Sequence, residues 1–284
     1  MRNVTVITDS ISCLPPDMVA RYQMQILPIN LYFGDKVYKD WVDITPNEAY
    51  ELFLKDPKRF ATSAPSPGYC FEAFREASQR ARDILVVAVS SKLSMVYESA
   101  QVAREQARTE LPGTNIEIFD SCMATAAEGF VALAAARAAE AGGNVSEAVK
   151  AAEEMRDKIG VLILLDTIRH VYRSGRIPKV ASQAGSVLNI RPILTIYRTV
   201  NFAGVVRNKE KGVERLLRAM RKKVGQKPLH VAVMHAYALD EAERLKERIS
   251  SEFNCSELWL SEFSPVMGYA TGTGTLGVAF YGEE

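Results

Sequence analysis

Two short hydroxyl-rich stretches carry the residue types best suited to holding an anion: Thr62-Ser63-Ala64-Pro65-Ser66-Pro67-Gly68 and Ser90-Ser91-Lys92-Leu93-Ser94. The second follows the apolar run Ile84–Val89 and precedes a helix-patterned stretch from Met95 to about Arg108. That order predicts Ser94 where a strand gives way to a helix N-terminus, a place where free backbone N–H groups and the helix dipole favour negative charge. No His, Cys pair or carboxylate cluster accompanies the two stretches, so they read as a site that holds rather than attacks. On residue type alone, Ser94 serves equally well as a plain helix N-cap. Thr62 serves as a turn residue ahead of a cap at Ser66.

Other chemistry-bearing residues are few. Asp9 and Asp120, each at a strand end beside Ser10 and Ser121, could form an acid/base pair but read better as carboxylates capping nearby N–H groups. Of the three histidines, His170, His230 and His235, the last ends a strand and is expected as a core or rim residue. Lys92 is expected in solvent, and Phe263 and Met267 suit either a tunnel wall or plain core. Arg215, Arg218, Arg221, Lys222 and Lys223 share one predicted helix and read as its exposed face. No G-x-S-x-G elbow or nucleophile with an adjacent base is present, and Gly272–Gly274 lacks a phosphate-loop Lys-Ser/Thr.

The elements that must position these residues alternate in the first half. Strands are predicted at Val4–Ile7, Ile84–Val89 and Ile116–Phe119, and helices after a Thr45–Glu48 capping box, after Ser66-Pro67, at Met95–Arg108 and at Thr125–Ala141. A further helix, capped at Ser146, runs to about Lys158. Alternation of this kind implies a parallel sheet covered on both faces, with ligands at the carboxyl ends of the strands. The second half reads as strands at Val161–Leu165, Arg191–Tyr197, Ala203–Arg207, Leu229–Met234, Glu257–Leu260 and Leu276–Tyr281, with helices at Lys209–Val224 and Asp240–Glu252. A hairpin over Tyr197–Val206 with its turn near Asn201-Phe202 makes this half α+β with a partly antiparallel sheet.

With 284 residues and a net charge of +1, the chain has ample core and no electrostatic case for nucleic acid or stable membrane insertion. Scattered Cys13, Cys70, Cys122 and Cys255 read as reduced thiols, and no room for a signal peptide precedes the first strand, so a cytoplasmic location without a metal is expected.

Taken together, these signatures resemble the DegV family, bacterial fatty-acid-binding proteins that serve as the acyl-carrying subunit of a fatty acid kinase. The resemblance covers about residues 3–282. It rests on Thr8-Asp9-Ser10, Thr62-Ser63-x-Pro65-Ser66-Pro67 and Ser90-Ser91-x-Leu93-Ser94-x-x-Tyr97-x-Ser99-Ala100. Also matching are Asp120-Ser121, Leu165-Asp166-Thr167, Arg173-Ser174-Gly175-Arg176-Ile177, Arg191-Pro192-Ile193-Leu194 and Gly268-Tyr269-Ala270-Thr271-Gly272-Thr273-Gly274. It implies an α/β protein with an N-terminal parallel-sheet, Rossmann-like domain (1–158) packed on a C-terminal α+β domain (159–284), the segment at about 60–80 packing with the second. One long-chain fatty acid would lie in a tunnel between them as the ligand, with no cofactor. The resemblance assigns the carboxylate to Thr62 and Ser94, with Met95, Ser10, Ser121, Ala270 and Thr271 around that pair, and Arg173 to the encounter with the kinase subunit. Departures from the family pattern are Ala64 for Gln, Met95-Val96 for Gly-Thr, and Ala270 for a His beside the head group.

The residues themselves suit such a ligand. A buried carboxylate needs donors, which two hydroxyls and the N–H groups of Met95 and Val96 would supply. Two other expectations stay open: a small-molecule enzyme using the Ser/Thr/Asp crevice, and a lipid carrier or sensor uncoupled from any kinase.

Overall fold

The computed structural model describes residues 2–167, 175–176 and 190–283. Strands β1 (Arg2–Asp9), β2 (Gln25–Leu27), β6 (Ala81–Ala88) and β7 (Asn115–Asp120) form an all-parallel sheet in the order β2-β1-β6-β7. Period-two alternation divides their side chains between two cores. Ile7, Ile84 and Val86 meet helices α3 (Pro67–Ser78) and α4 (Val96–Glu110), whereas Val6, Leu85 and Val87 meet α5 (Ala126–Glu140) and α6 (Val145–Lys158). The sheet is thus covered on both faces, as its apolar runs require.

Helix α5 explains its own composition. Its other side packs against a second sheet, so it is apolar nearly all round, and its many alanines let two sheets approach one helix. That second sheet has the order β10-β9-β8-β13-β11-β12. Its strands are β8 (Gly160–Leu164), β9 (Arg191–Tyr197), β10 (Thr199–Val206), β11 (Leu229–His235), β12 (Cys255–Glu262) and β13 (Leu276–Gly282). Only β11 and β12 pair in parallel, so this half is α+β as expected. Helices α7 (Lys209–Val224) and α8 (Leu239–Glu252) cover its outer face.

A third sheet, β4-β3-β5, is small and antiparallel and was not anticipated. Strands β3 (Asn30–Phe33), β4 (Lys36–Lys39) and β5 (Phe60–Ser63) are four residues each, too short for alternation to mark them. Helix α1 (Pro16–Arg21) is a short turn of helix between β1 and β2, and helices α2 (Pro46–Lys55) and α9 (Pro265–Thr271) pack on the small sheet around Leu31, Phe53 and Phe60.

Several boundaries depart from the sequence reading. The β9–β10 turn lies at Arg198, which takes φ 60°, so Asn201 and Phe202 are inside a strand. Helix α6 is capped by Asn144, not Ser146: Asn144 Oδ1 accepts from Glu147 N at 3.1 Å while Glu147 returns the bond. The capping box at Thr45 and Glu48 is formed as expected, as is the Ser66 cap on α3. A half-buried ion pair joins the two halves. Arg137 on α5 donates to both carboxylate oxygens of Glu257 on β12, at 2.8 and 3.0 Å. Burial alone would raise Glu257, but His230 and Arg137 offset it and hold that carboxyl below its ordinary range.

Candidate ligand cavity

The site is assembled from the ends of three sheets. Asp9, fully buried at the end of β1, accepts from Ile11 N at 3.0 Å and from Val89 N at 2.9 Å. It thereby fixes the chain as it leaves both central strands. Beyond Val89, Ser90 N donates to Met123 O at 2.8 Å and Ser90 Oγ to Arg198 O at 2.5 Å. Ser91 Oγ donates to Asp120 Oδ2 at 2.6 Å, and Asp120 Oδ1 also accepts from Cys122 N at 2.8 Å. Asp9 and Asp120 are therefore structural acceptors at the ends of separate strands, not an acid/base pair.

This anchored loop delivers Ser94. Helix α4 starts one residue later than expected: its N-cap is Met95, which has no side-chain capping bond, and Ser94 precedes the cap. Its backbone N–H donates to Ser90 O at 3.2 Å, while no side-chain hydrogen bond of Ser94 is made to the described residues. Thr62 arrives from β5, opposite Leu31 of β3. Its neighbour Ser63 is occupied by Asn30 Nδ2 at 3.2 Å and by the Tyr32 hydroxyl at 3.1 Å.

Thr62 and Ser94 line one cavity with about 780 Å³ of atom-free space, part of it open to solvent. Its walls are mainly aliphatic: Ile11, Ile29 and Val89 from the first half, and Ile163, Leu194 and Ile196 from the inner face of the six-stranded sheet. Helix α9 supplies Val266, Met267, Ala270 and Thr271. That helix is held in place by the Tyr50 hydroxyl, which donates to Phe263 O at 3.0 Å, and by Gly268, where any Cβ would overlap the Tyr50 ring. The Thr271 hydroxyl donates within α9 to Met267 O at 2.9 Å.

Among the described lining residues that were not site candidates in the sequence, Arg176 is the one that carries a charge. Arg176 lines the wall and donates from Nε to Leu93 O at 3.3 Å, placing a guanidinium in the loop that carries Ser94. The signal was its place in Arg173-Ser174-Gly175-Arg176. Arg173 and His170 lie outside the described residues. Other expected supports stand elsewhere. Met95 points to solvent with 61% of its surface exposed, and neither it nor Val96 is in the wall. Ser10 Oγ accepts from Ile29 N at 3.2 Å, and Ser121 Oγ accepts from Met123 N at 3.1 Å, so both brace loops rather than line the cavity. Phe263 is wholly core, and Met267 alone of that pair reaches the cavity.

Buried His235 accepts from Ala238 N at 3.3 Å through Nδ1, and burial pushes its pKa down to about 4, so it is a neutral rim residue outside the cavity wall. Burial pushes the Asp9 carboxyl up to about 6 and Glu128, packed against it, well above the usual range. Among the described residues no His/Cys/Asp/Glu group is arranged to hold a metal ion, and no helix is long and apolar enough to cross a membrane.

Comparison with known proteins agrees with this architecture. A family model described as "Uncharacterised protein, DegV family" matches residues 3–283. A DegV domain-containing protein of Clostridium acetobutylicum is 32% identical over 291 residues, covering 99% of each chain. A DegV family protein from Thermus thermophilus, solved in a study of its fatty acid binding, is 29% identical with a TM-score of 0.89 over 100% of both chains. DegV from Bacillus subtilis, described as a fatty acid binding protein, is 26% identical with a TM-score of 0.88 over 100% of both chains. A match along the whole chain, on a fold that superposes from end to end, makes this chain a member of the DegV family.

Proposed function

We propose that the cavity binds one long-chain fatty acid, its carboxylate held by Thr62 and Ser94 and its acyl chain along the aliphatic walls. One observation carries this reading: two hydroxyl residues far apart in sequence, Thr62 on β5 and Ser94 in the loop before α4, share the wall of a mainly apolar cavity. Each hydrogen bond to a charged oxygen contributes about 1.5–3 kcal/mol, and Arg176 brings an opposite charge to the same wall. Buried methylenes contribute roughly 0.8 kcal/mol each, so chain length dominates affinity while the hydroxyls set orientation. The fatty acid binding described for the relatives from Thermus thermophilus and Bacillus subtilis supports the same ligand class. On this reading the chain divides near residue 158 into two domains with the ligand between them, and it does no chemistry alone.

The finer proposal is that the chain presents the acid to a separate kinase subunit in the cytoplasm for acyl-phosphate formation, with Arg173 at that encounter. Ala270 favours a second reading, a carrier with weak or absent coupling, because a methyl in the cavity wall can neither donate a hydrogen bond nor balance charge. Native mass spectrometry of the purified full chain tests the binding itself. A co-purifying long-chain fatty acid at near-unit occupancy is expected. A chain that carries no lipid and takes none up from added stearate or oleate would end the proposal.

A further inference from the structure

Asp9 holds the cavity walls at Ile11 and Val89, and a second buried acid bears on Asp9. Glu128 lies in the first turn of α5 and is 0% exposed. Its Oε1 accepts from the Thr8 hydroxyl at 3.2 Å, and its carboxyl group hydrogen-bonds the Asp9 side chain. A hydrogen bond between two carboxyl groups needs a proton on one of them. Asp9 Oδ1 and Oδ2 already accept from Ile11 N and Val89 N. Glu128 Oε2, by contrast, is sealed from solvent and receives no N–H or O–H from the described residues. The proton therefore belongs on Glu128, which donates, while Asp9 accepts.

The surroundings favour the same form. The charges acting on Glu128 are Asp9 and Asp120. Other titratable groups in reach of the pair are Asp40, Cys13 and Cys70, and none of these is a base. Burial is the largest influence on Glu128 and pushes its carboxyl well above the usual range, and the Asp9 charge acts in the same direction. A helix N-terminus favours an anion, but a second charge buried beside Asp9 with no base in reach costs more.

We propose that Glu128 is a positioning residue for the ligand. As the neutral acid it donates to Asp9, and Asp9 in turn holds Ile11, Val89 and the loop leading to Ser94 in the shape that retains the fatty acid. This role presupposes the fatty acid ligand proposed for the cavity. Loss of the Glu128 proton would set two carboxylates against each other at full burial, and Asp9 would no longer hold both backbone N–H groups. Retention would then fall as pH rises above neutral. The ligand's own carboxyl is already ionised there and adds nothing to that slope.

Titration of the delipidated full chain with cis-parinarate, read by its fluorescence at pH 7 and at about pH 9.5, tests this role. The unaltered chain should bind at pH 7 and weaken by several-fold or more at the higher pH. Glu128→Gln presents an amide N–H in place of the acid O–H and cannot ionise, so its affinity should stay level between the two. Glu128→Leu removes the donor and should weaken binding at pH 7 by about tenfold, the order expected for one bond to a charged group. Glu128→Gln should hold the ligand better than Glu128→Leu does, with folding of both checked by circular dichroism. Every other group titrates alike in these chains, so a difference between their pH profiles belongs to Glu128. Parallel profiles in the unaltered chain and Glu128→Gln would overturn the role of Glu128 and leave the fatty acid ligand standing. Unweakened binding by folded Glu128→Leu would do the same, and if that variant does not fold the two profiles decide. No parinarate bound by the unaltered chain at pH 7 would end both the ligand and the role.

Discussion

Asp9 accepts the backbone N–H of Val89 at 2.9 Å across two adjacent strands, so one buried carboxylate sets where the loop bearing Ser94 leaves the sheet. The same carboxylate accepts from Ile11 N, and both Ile11 and Val89 line the cavity. The Thr8-Asp9-Ser10 motif therefore shapes the cavity without lining it.

The Asp9 pairing has a pH signature. Burial raises the Asp9 carboxyl from 3.8 to about 6 in the folded state, so the fold binds this proton more tightly than the unfolded chain. The resulting stabilisation is complete below about pH 4 and is lost as pH rises through about 6. Asp40, raised to about 6, and Glu262, raised to about 7, both by burial, act in the same direction. Stability from urea midpoints is expected to fall between pH 5 and pH 8. Asp9→Asn should cost about 1–3 kcal/mol by presenting an amide donor where an acceptor is needed. It should cost more at pH 5 than at pH 8. An equal loss at both would show that Asp9 does not titrate in this window.

Ser94 is expected to matter for ligand and not for fold. Its hydroxyl has no described partner and Met95 is the helix cap, so Ser94→Ala should shift stability by less than about 0.5 kcal/mol. Retention of fatty acid should fall by roughly tenfold or more, as loss of a bond to a charged group implies. Leu93→Val should retain its lipid. Ser66→Ala provides the opposite control: Ser66 Oγ accepts from Tyr69 N at 3.2 Å, so its loss should cost about 1 kcal/mol of stability and leave lipid content unchanged. Equal lipid occupancy in Ser94→Ala and Leu93→Val would remove Ser94 from the site.

On the proposed reading, Ala270 is the position expected to separate binding from transfer. If Thr62, Ser94 and Arg176 hold the carboxylate as proposed, binding should survive without a donor at position 270. Transfer depends on groups placed for the transition state, so acyl-phosphate formation with a kinase subunit and ATP should be weak. Ala270→His should raise that rate more than it raises lipid affinity. Robust transfer by the unaltered chain, unchanged by Ala270→His, would show that this position has no part in the reaction.

Local chemistry made many elements legible in the sequence. Thr45-Pro46-Asn47-Glu48 satisfies helix N–H groups within its own four residues, and Ile84–Val89 is apolar because both sheet faces are covered, so no distant contact was needed to recognise either. Ser94 as a site candidate was legible for the same reason, lying between a strand and a helix. Where two local options compete, neighbouring residues alone do not choose. Asn144 rather than Ser146 caps α6, and Arg198 rather than Asn201 makes the hairpin turn, because strand register and packing select among similar propensities. Tertiary structure alone decided the cavity wall. Thr62 shares a cavity wall with Ser94 because the small β4-β3-β5 sheet packs under α9, and Arg176 joins that wall through a backbone contact to Leu93. Those encounters depend on long-range burial of Leu31, Phe60 and their neighbours, which no spacing along the chain encodes.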